Sequence, residues 1–126
     1  MHTVIAVLQA ILGLGFAVGG VLRLTLPYAQ YAQLPGQGWA NDFQPWHIRL
    51  IGALEVCGAI GLLVPLFWHA LTMLTPLAAV GMALVMSGAM VTHLRRLEYW
   101  NMVGNLLVFL GPALFVAYGT LVGFAV

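Results

Sequence analysis

Polar residues are so sparse along the chain that four apolar runs stand out by length alone. They extend from about Val4 to Leu22, Ile48 to Pro65, Leu71 to Val91 and Met102 to Val126. Each is close to the roughly 20 residues a helix needs to cross the hydrocarbon of a bilayer. No segment alternates apolar and polar residues with a period of two, which excludes the strands of a membrane barrel. The pattern predicts an all-α, integral membrane four-helix bundle in antiparallel up-down order. It forms a single transmembrane domain over residues 1–126, with spans about 4–23, 47–65, 70–93 and 100–124. Pro65 and Pro76 bracket Trp68 and His69, so a tight hairpin joins the second and third spans. The first run lacks a basic leader and continues into Arg23 and an aromatic connection, so we read it as a retained span and not a signal peptide.

Composition narrows the class further. Apolar and aromatic residues make up 63% of the 126 positions and charged residues 6%, with four Arg, no Lys and three acidic side chains. A soluble domain carries roughly 25% charged residues to face water, and the mean hydropathy here is +1.03. A soluble globule is excluded, as is a disordered chain, which needs low hydrophobicity. Four Arg cannot neutralise a phosphate track, so nucleic acid is not a partner. Cys57 is the only cysteine, which excludes an internal disulfide and a CxxC redox pair. All four Arg fall at one end of the spans: Arg23, Arg49, Arg95 and Arg96. By the positive-inside rule that end is cytoplasmic, which puts both termini in the periplasm of a bacterial inner (plasma) membrane.

The one long connection, Thr25 to Trp46, holds Tyr28, Tyr31, Trp39, Phe43 and Trp46. Pro27, Pro35, Gly36 and Gly38 break it into short pieces. Two readings stand: an aromatic interfacial loop lying in the headgroup layer, or a cap over a cavity at that end.

The residues that are expensive in a membrane carry the functional signal. Glu55 lies about two turns into the second span, roughly 10–12 Å deep at 1.5 Å per residue. An ionisable group there must be paired, protonated or wet. Gly52 and Ala59 share its helical face, so Glu55 points into the bundle, where small residues admit a neighbouring helix. Arg49 is about 120° round the helix from it, so its partner comes from another span. His93 is a candidate, because Met82, Met86, Ala89 and His93 form one stripe ending near the same membrane depth. A Glu and a His there form an acid/base pair or a proton-coupled ligand anchor. The plain alternatives are a Glu that glues helices and a His that reaches headgroups.

Met82, Met86, Met90 and His93 can be written as a soft Cu(I) site, but Met commonly fills gaps in apolar helices, and no metal is expected. No haem is expected either. On the fourth span Asn101, Asn105 and Pro112 share a face, and Pro112 leaves the Val108 carbonyl without its helical donor. Gly15 and Gly19 form a GxxxG pair for close packing, and Arg23 continues their face, either snorkelling to phosphate or reaching into the bundle. Arg23, Arg49, Glu55, His93, Asn101 and Asn105 thus come from all four spans and lie in one half of the membrane.

At these residues the chain resembles the DoxX-like family of small bacterial four-span membrane proteins. The matching stretches are Gly20-Val-Leu-Arg-Leu, the run from Arg49 through Glu55 to Pro65, and Met86-Ser-Gly-Ala-Met-Val-Thr-His-Leu-Arg-Arg. Arg23 stands where the family often has Lys, keeping the charge without a titratable amine. The family takes its name from a membrane subunit of a thiosulfate:quinone oxidoreductase, and some members are linked to redox or thiol-stress complexes. The resemblance implies the four-helix bundle and a role beside redox chemistry. The leading expectation is a hydrophobic or amphipathic small-molecule ligand, a quinone. Arg23 or Arg49 holds its oxygen, Asn101 and Asn105 complete the binding site, and Glu55 with His93 acts as the catalytic proton relay. No electron carrier is encoded, so a redox partner subunit is implied, and homo-oligomers are compatible with this reading. A stand-alone acid/base enzyme and a purely structural assembly subunit are the alternatives.

Overall fold

The computed structural model describes residues 2–123. Six α-helices follow in order: α1 (His2–Thr25), α2 (Tyr28–Gln33), α3 (Pro45–Phe67), α4 (Leu74–Arg95), α5 (Tyr99–Asn105) and α6 (Gly111–Leu121). Short 3₁₀ turns occupy Gly38–Asp42 and His69–Leu71, a π-helical turn spans Leu106–Leu110, and no strand occurs among the described residues. Four segments are long and apolar enough to cross a membrane: Thr3–Thr25, Pro45–Phe67, Leu74–Arg95 and the continuous run Tyr99–Leu121. The protein is an all-α, multi-pass membrane bundle.

The helices close a ring in which α1 packs on α3, α3 on α4, α4 on α5 and α6, and α6 on α1. Inside lie Leu12, Phe16, Leu62, Ala79, Ala113 and Val116, all essentially inaccessible. Outside, Ile11, Val18, Leu77, Leu84, Leu107 and Leu121 are exposed, presenting the apolar surface a bilayer requires. Small residues set the closest approach. A Cβ on Gly20 would stand 2.8 Å from the Gly52 carbonyl oxygen, so α1 and α3 cross there backbone to backbone. The Gly15/Gly19 pair does not make this crossing, because Gly15 faces Phe109 and Gly19 faces the side chains of Arg23 and Glu55.

Prolines fix the ends. Pro45 opens α3 in the first turn, where its missing N–H costs nothing. α4 begins at Leu74, later than the predicted 70. Trp68 to Met73 forms a hairpin around the 3₁₀ turn His69–Leu71, and Pro76 then falls in the first turn of α4, where its missing N–H costs nothing. The expected end of the fourth span, residue 124, lies outside the described residues. At the end remote from the arginines, buried Gln9 of α1 donates from Nε2 to the Leu62 carbonyl at 2.6 Å and the Thr75 hydroxyl at 3.0 Å. That amide joins three helices, and sequence reading had not singled it out.

Ahead of Pro112 the α-helical hydrogen-bond pattern is interrupted. The Gly111 N–H reaches back to the Leu106 carbonyl, widening one turn. A Cβ on Gly111 would sit 2.8 Å from that oxygen, so the turn needs glycine there. Above it α6 packs on α1, whereas α5 scarcely touches α1. The fourth span therefore leans away from the first at the arginine end and leaves room between them.

Candidate functional site

Proline chemistry starts the site. Residue 27 is Pro, so the Arg23 carbonyl has no helical N–H four residues on. Arg49 supplies the donor instead, from Nη1 at 2.6 Å. This locks the end of α1 to α3 just above the glycine crossing. The Arg23 side chain then turns inward over Gly19, and Nη1 donates to Glu55 Oε2 at 2.5 Å. Gly19 is what makes the pair possible, since a Cβ there would lie 2.8 Å from Arg23 Nη1 and 2.9 Å from Glu55 Oε2.

The side chains of Arg23 and Glu55 are 16% and 3% exposed, so the pair is largely stripped of water. Removing two charges from water costs several kcal/mol per ion unless further contacts compensate. The connecting segment provides them. The Arg23 guanidinium lies 5.4 Å from the Tyr31 ring centroid and 5.7 Å from that of Trp39. Both aromatics are pinned by Gln37, whose Oε1 accepts from the Tyr31 hydroxyl and the Trp39 indole N–H, each at 2.8 Å. Tyr31, Ala32, Trp39, Ala40 and Ile48 form a small core of their own. The segment between the first two spans is thus an ordered cap over the arginine end. Trp46 and Trp100 stay exposed. Burial pushes the Tyr31 phenol above its ordinary value, against a smaller pull from Arg23.

His93 is not the partner of Glu55. Its Nδ1–H donates to Glu98 Oε1 at 3.1 Å, an oxygen that also accepts from Arg96 Nε at 3.1 Å. Arg96 in turn reaches Asp42 of the cap at 2.9 Å. Asp42 first, and Glu98 behind it, hold the Arg96 guanidinium above its ordinary range. This chain exists because Leu97 adopts a left-handed conformation, φ +59°, and folds Glu98 back beneath the end of α4. The Trp39 ring meets His93 edge-on at 6.5 Å, joining the two polar groups through the cap.

Between them lies a cavity of about 1050 Å³. Arg23 and Glu55 line one wall, His93, Met86, Asn101 and Asn105 the other, and Trp39 and Phe43 the cap. Phe16 and Phe109, with ring centroids 5.5 Å apart, border it toward the bundle centre. Exposed Val18, Leu84 and Val108 also belong to its lining, so it reaches the lipid-facing surface. Asn101 extends Nδ2 toward the Gly36 carbonyl at 3.5 Å, a long hydrogen bond. Asn105 donates from Nδ2 to Met86 Sδ at 3.4 Å. Among the described residues two buried side-chain polar atoms lack any partner, Arg23 Nε and Asn105 Oδ1, and both residues line this one cavity.

Of the six residues expected at a site, five line the cavity: Arg23, Glu55, His93, Asn101 and Asn105. Arg49 instead supports the backbone behind Arg23. The structure adds Tyr31, Gln37, Trp39, Asp42 and Glu98. The aromatic density of the connection was a signal for Tyr31 and Trp39, Glu98 had only its nearness to Arg96, and Gln37 and Asp42 carried none. Met82, one member of the soft-metal set, packs its sulfur against Gly58, where a Cβ would stand 2.5 Å from Sδ.

No curated protein and no solved structure matches the chain. The sequence profile of the DoxX-like family matches residues 7–117, which takes in the capping segment, the second and third spans and most of the first and fourth. The bundle, its Arg23–Glu55 pair and its capped cavity are therefore those of a chain that belongs to the DoxX-like family.

Proposed function

We propose that the cavity binds a membrane-soluble molecule with an oxygen-bearing polar head and an apolar body, and that the ligand class is a quinone. The observation that carries this reading is a largely apolar cavity, open toward the lipid, with the Arg23–Glu55 ion pair in one wall and His93, Asn101 and Asn105 in the other. An oxygen substituent on a ring accepts from the Arg23 guanidinium while the apolar part of the ring rests against Val85 and Phe109.

In this reading Arg23 holds a ligand oxygen and Glu55 fixes the guanidinium in place. Arg49, committed to the Arg23 carbonyl, acts by positioning. His93 stands at the opposite wall, hydrogen-bonded to Glu98 behind it, as a group able to take or give a proton. A quinone, when bound, would supply reversible two-electron, two-proton carrier chemistry. The electrons would come from a partner subunit, and the protein would serve as the ligand-holding membrane part of that assembly. The arginine end would face the cytoplasm of a bacterial inner membrane, with both termini periplasmic.

The test is mass spectrometry of small molecules that co-purify with wild type and with Glu55→Gln. The expected result is a quinone or related amphiphile retained by wild type and lost from a folded variant. Bulk phospholipid alone in both would overturn the reading and favour a structural assembly subunit. Turnover of a hydrophobic substrate without any redox partner would favour an acid/base enzyme.

A further inference from the structure

Arg95 is left out of every polar contact that organises the arginine end of the bundle. The chain has three acidic side chains, and each is engaged elsewhere: Glu55 by Arg23, Asp42 by Arg96, and Glu98 by Arg96 and His93. Arg49 is held by the Arg23 carbonyl. Among the described residues no hydrogen bond or ion pair reaches the Arg95 guanidinium. No acidic side chain remains to pair it, so its counter-charge comes from outside the chain.

An apolar track on α4 leads to that cation. Leu84, Gly88, Val91 and Arg95 are spaced four, three and four residues apart, which puts them on one helical face. All four are exposed, and all four belong to the lining of the large cavity, as does exposed Leu54 of α3. Nothing lies within 4 Å of where a Gly88 Cβ would stand, so the track is open in its middle. Farther from the arginines α3 and α4 close on each other, and a Cβ on Gly61 would stand 2.7 Å from that of Ala78. From Leu84 to Arg95 the track runs roughly 16 Å at 1.5 Å per residue. That is about half of a hydrocarbon core roughly 30 Å thick, the depth of one leaflet.

We propose that this face of α4 binds one anionic phospholipid, with the phosphate on Arg95 and an acyl chain along Val91, Gly88 and Leu84. A guanidinium suits the phosphate because its planar N–H groups match two oxygens at once. The track matches a molecule with an anion at one end and a chain of single-leaflet length behind it. A soluble phosphate would leave the apolar track empty, and a zwitterionic lipid brings its own cation to compete with Arg95. Seated there, the lipid supplies an outer wall to the cavity that the protein itself leaves open. The site does not depend on the quinone reading, which places its ligand between Arg23 and His93.

The experiment is native mass spectrometry of the full-length protein, stripped of lipid in detergent and titrated with phosphatidylglycerol or with phosphatidylcholine of the same chains. Wild type is expected to retain one phosphatidylglycerol about tenfold more tightly than phosphatidylcholine, the value of one charge-assisted hydrogen bond. Arg95→Gln should bring the two lipids level. Arg96→Gln removes the same charge one residue on, from a guanidinium already held by Asp42 and Glu98, and should leave the preference unchanged. Gly88→Leu keeps Arg95 and fills the track, so both lipids should bind more weakly to a variant that circular dichroism shows to be helical. Excess inorganic phosphate should not displace the lipid. Equal retention of both lipids by wild type, or equal losses from Arg95→Gln and Arg96→Gln, would overturn the site and leave only surface charge. Binding that survives Gly88→Leu, or displacement by phosphate, would overturn the acyl-chain track. Lipid-free dimers of wild type that Gly88→Leu breaks would put a second copy on this face and overturn the proposal.

Discussion

Arg49 donates a hydrogen bond to the backbone carbonyl of Arg23, and it does so because the residue four positions after Arg23 is a proline. A side chain of one transmembrane helix thereby completes the hydrogen bonding of another. Charge-assisted hydrogen bonds contribute about 1.5–3 kcal/mol. Arg49→Met should lower unfolding free energy in detergent by about that much. Pro27→Ala restores an N–H at the right position, so in that background the Arg49→Met cost should shrink. Equal costs in the two backgrounds would show that Arg49 acts elsewhere.

Glycines of this chain divide into two kinds that look the same in sequence. Gly19 and Gly20 would bring a Cβ to within 2.8 Å of Arg23 Nη1 and of the Gly52 oxygen respectively, whereas Gly88 and Gly104 have nothing within 4 Å of theirs. Gly19→Ala and Gly20→Ala should destabilise by about 1–3 kcal/mol through overpacking. Gly88→Ala and Gly104→Ala should be neutral or stabilise by about 0.5–1 kcal/mol, because alanine loses less conformational freedom in a helix. Thermal unfolding of the four variants separates the classes.

Leu97 holds a left-handed backbone, φ +59°, while its side chain is 69% exposed. That conformation costs an L-residue roughly 1–2 kcal/mol, which glycine avoids. Leu97→Gly should raise unfolding free energy by about 1 kcal/mol and leave the His93–Glu98 contact intact. A loss of stability would mean that the leucine side chain is anchored in the membrane interface.

The buried phenol of Tyr31 predicts an alkaline transition. Burial raises it above the ordinary 10.0, an effect only partly offset by Arg23. Just above pH 10 the unfolded chain has released this proton while the folded chain retains it. Stability should therefore be fully present below pH 10 and fall as pH rises through that window. In a spectrophotometric titration, the phenolate signal that Tyr31→Phe removes should be one that appears above pH 10.

Much of this fold was legible because the bilayer imposes length. A helix that crosses hydrocarbon must be apolar over a fixed distance, and the runs announced themselves. The inward orientation of Glu55 was legible for the same reason, from its depth and its small neighbours. Its partner was not. Periodicity assigns residues to faces, but which faces meet depends on the crossing at Gly20 and Gly52, a contact between backbones that leaves little trace in side-chain pattern. His93 was matched to Glu55 by depth, whereas a single left-handed residue, Leu97, delivered Glu98 to it instead. Asp42 and Glu98 sit in connections, where no period exists to read.

The widened turn at Leu106–Leu110 has a consequence for how this chain can change. In an uninterrupted helix one residue inserted or removed swings everything beyond it by about 100°. Here the extra residue is already absorbed, so the two halves of the last span keep separate registers. α6 can be rotated to suit its neighbours in the tight half of the bundle without dragging Asn105 off the cavity wall. Deleting one residue from the turn would weld the halves into one rod, and each would then be correctly phased only at the other's expense.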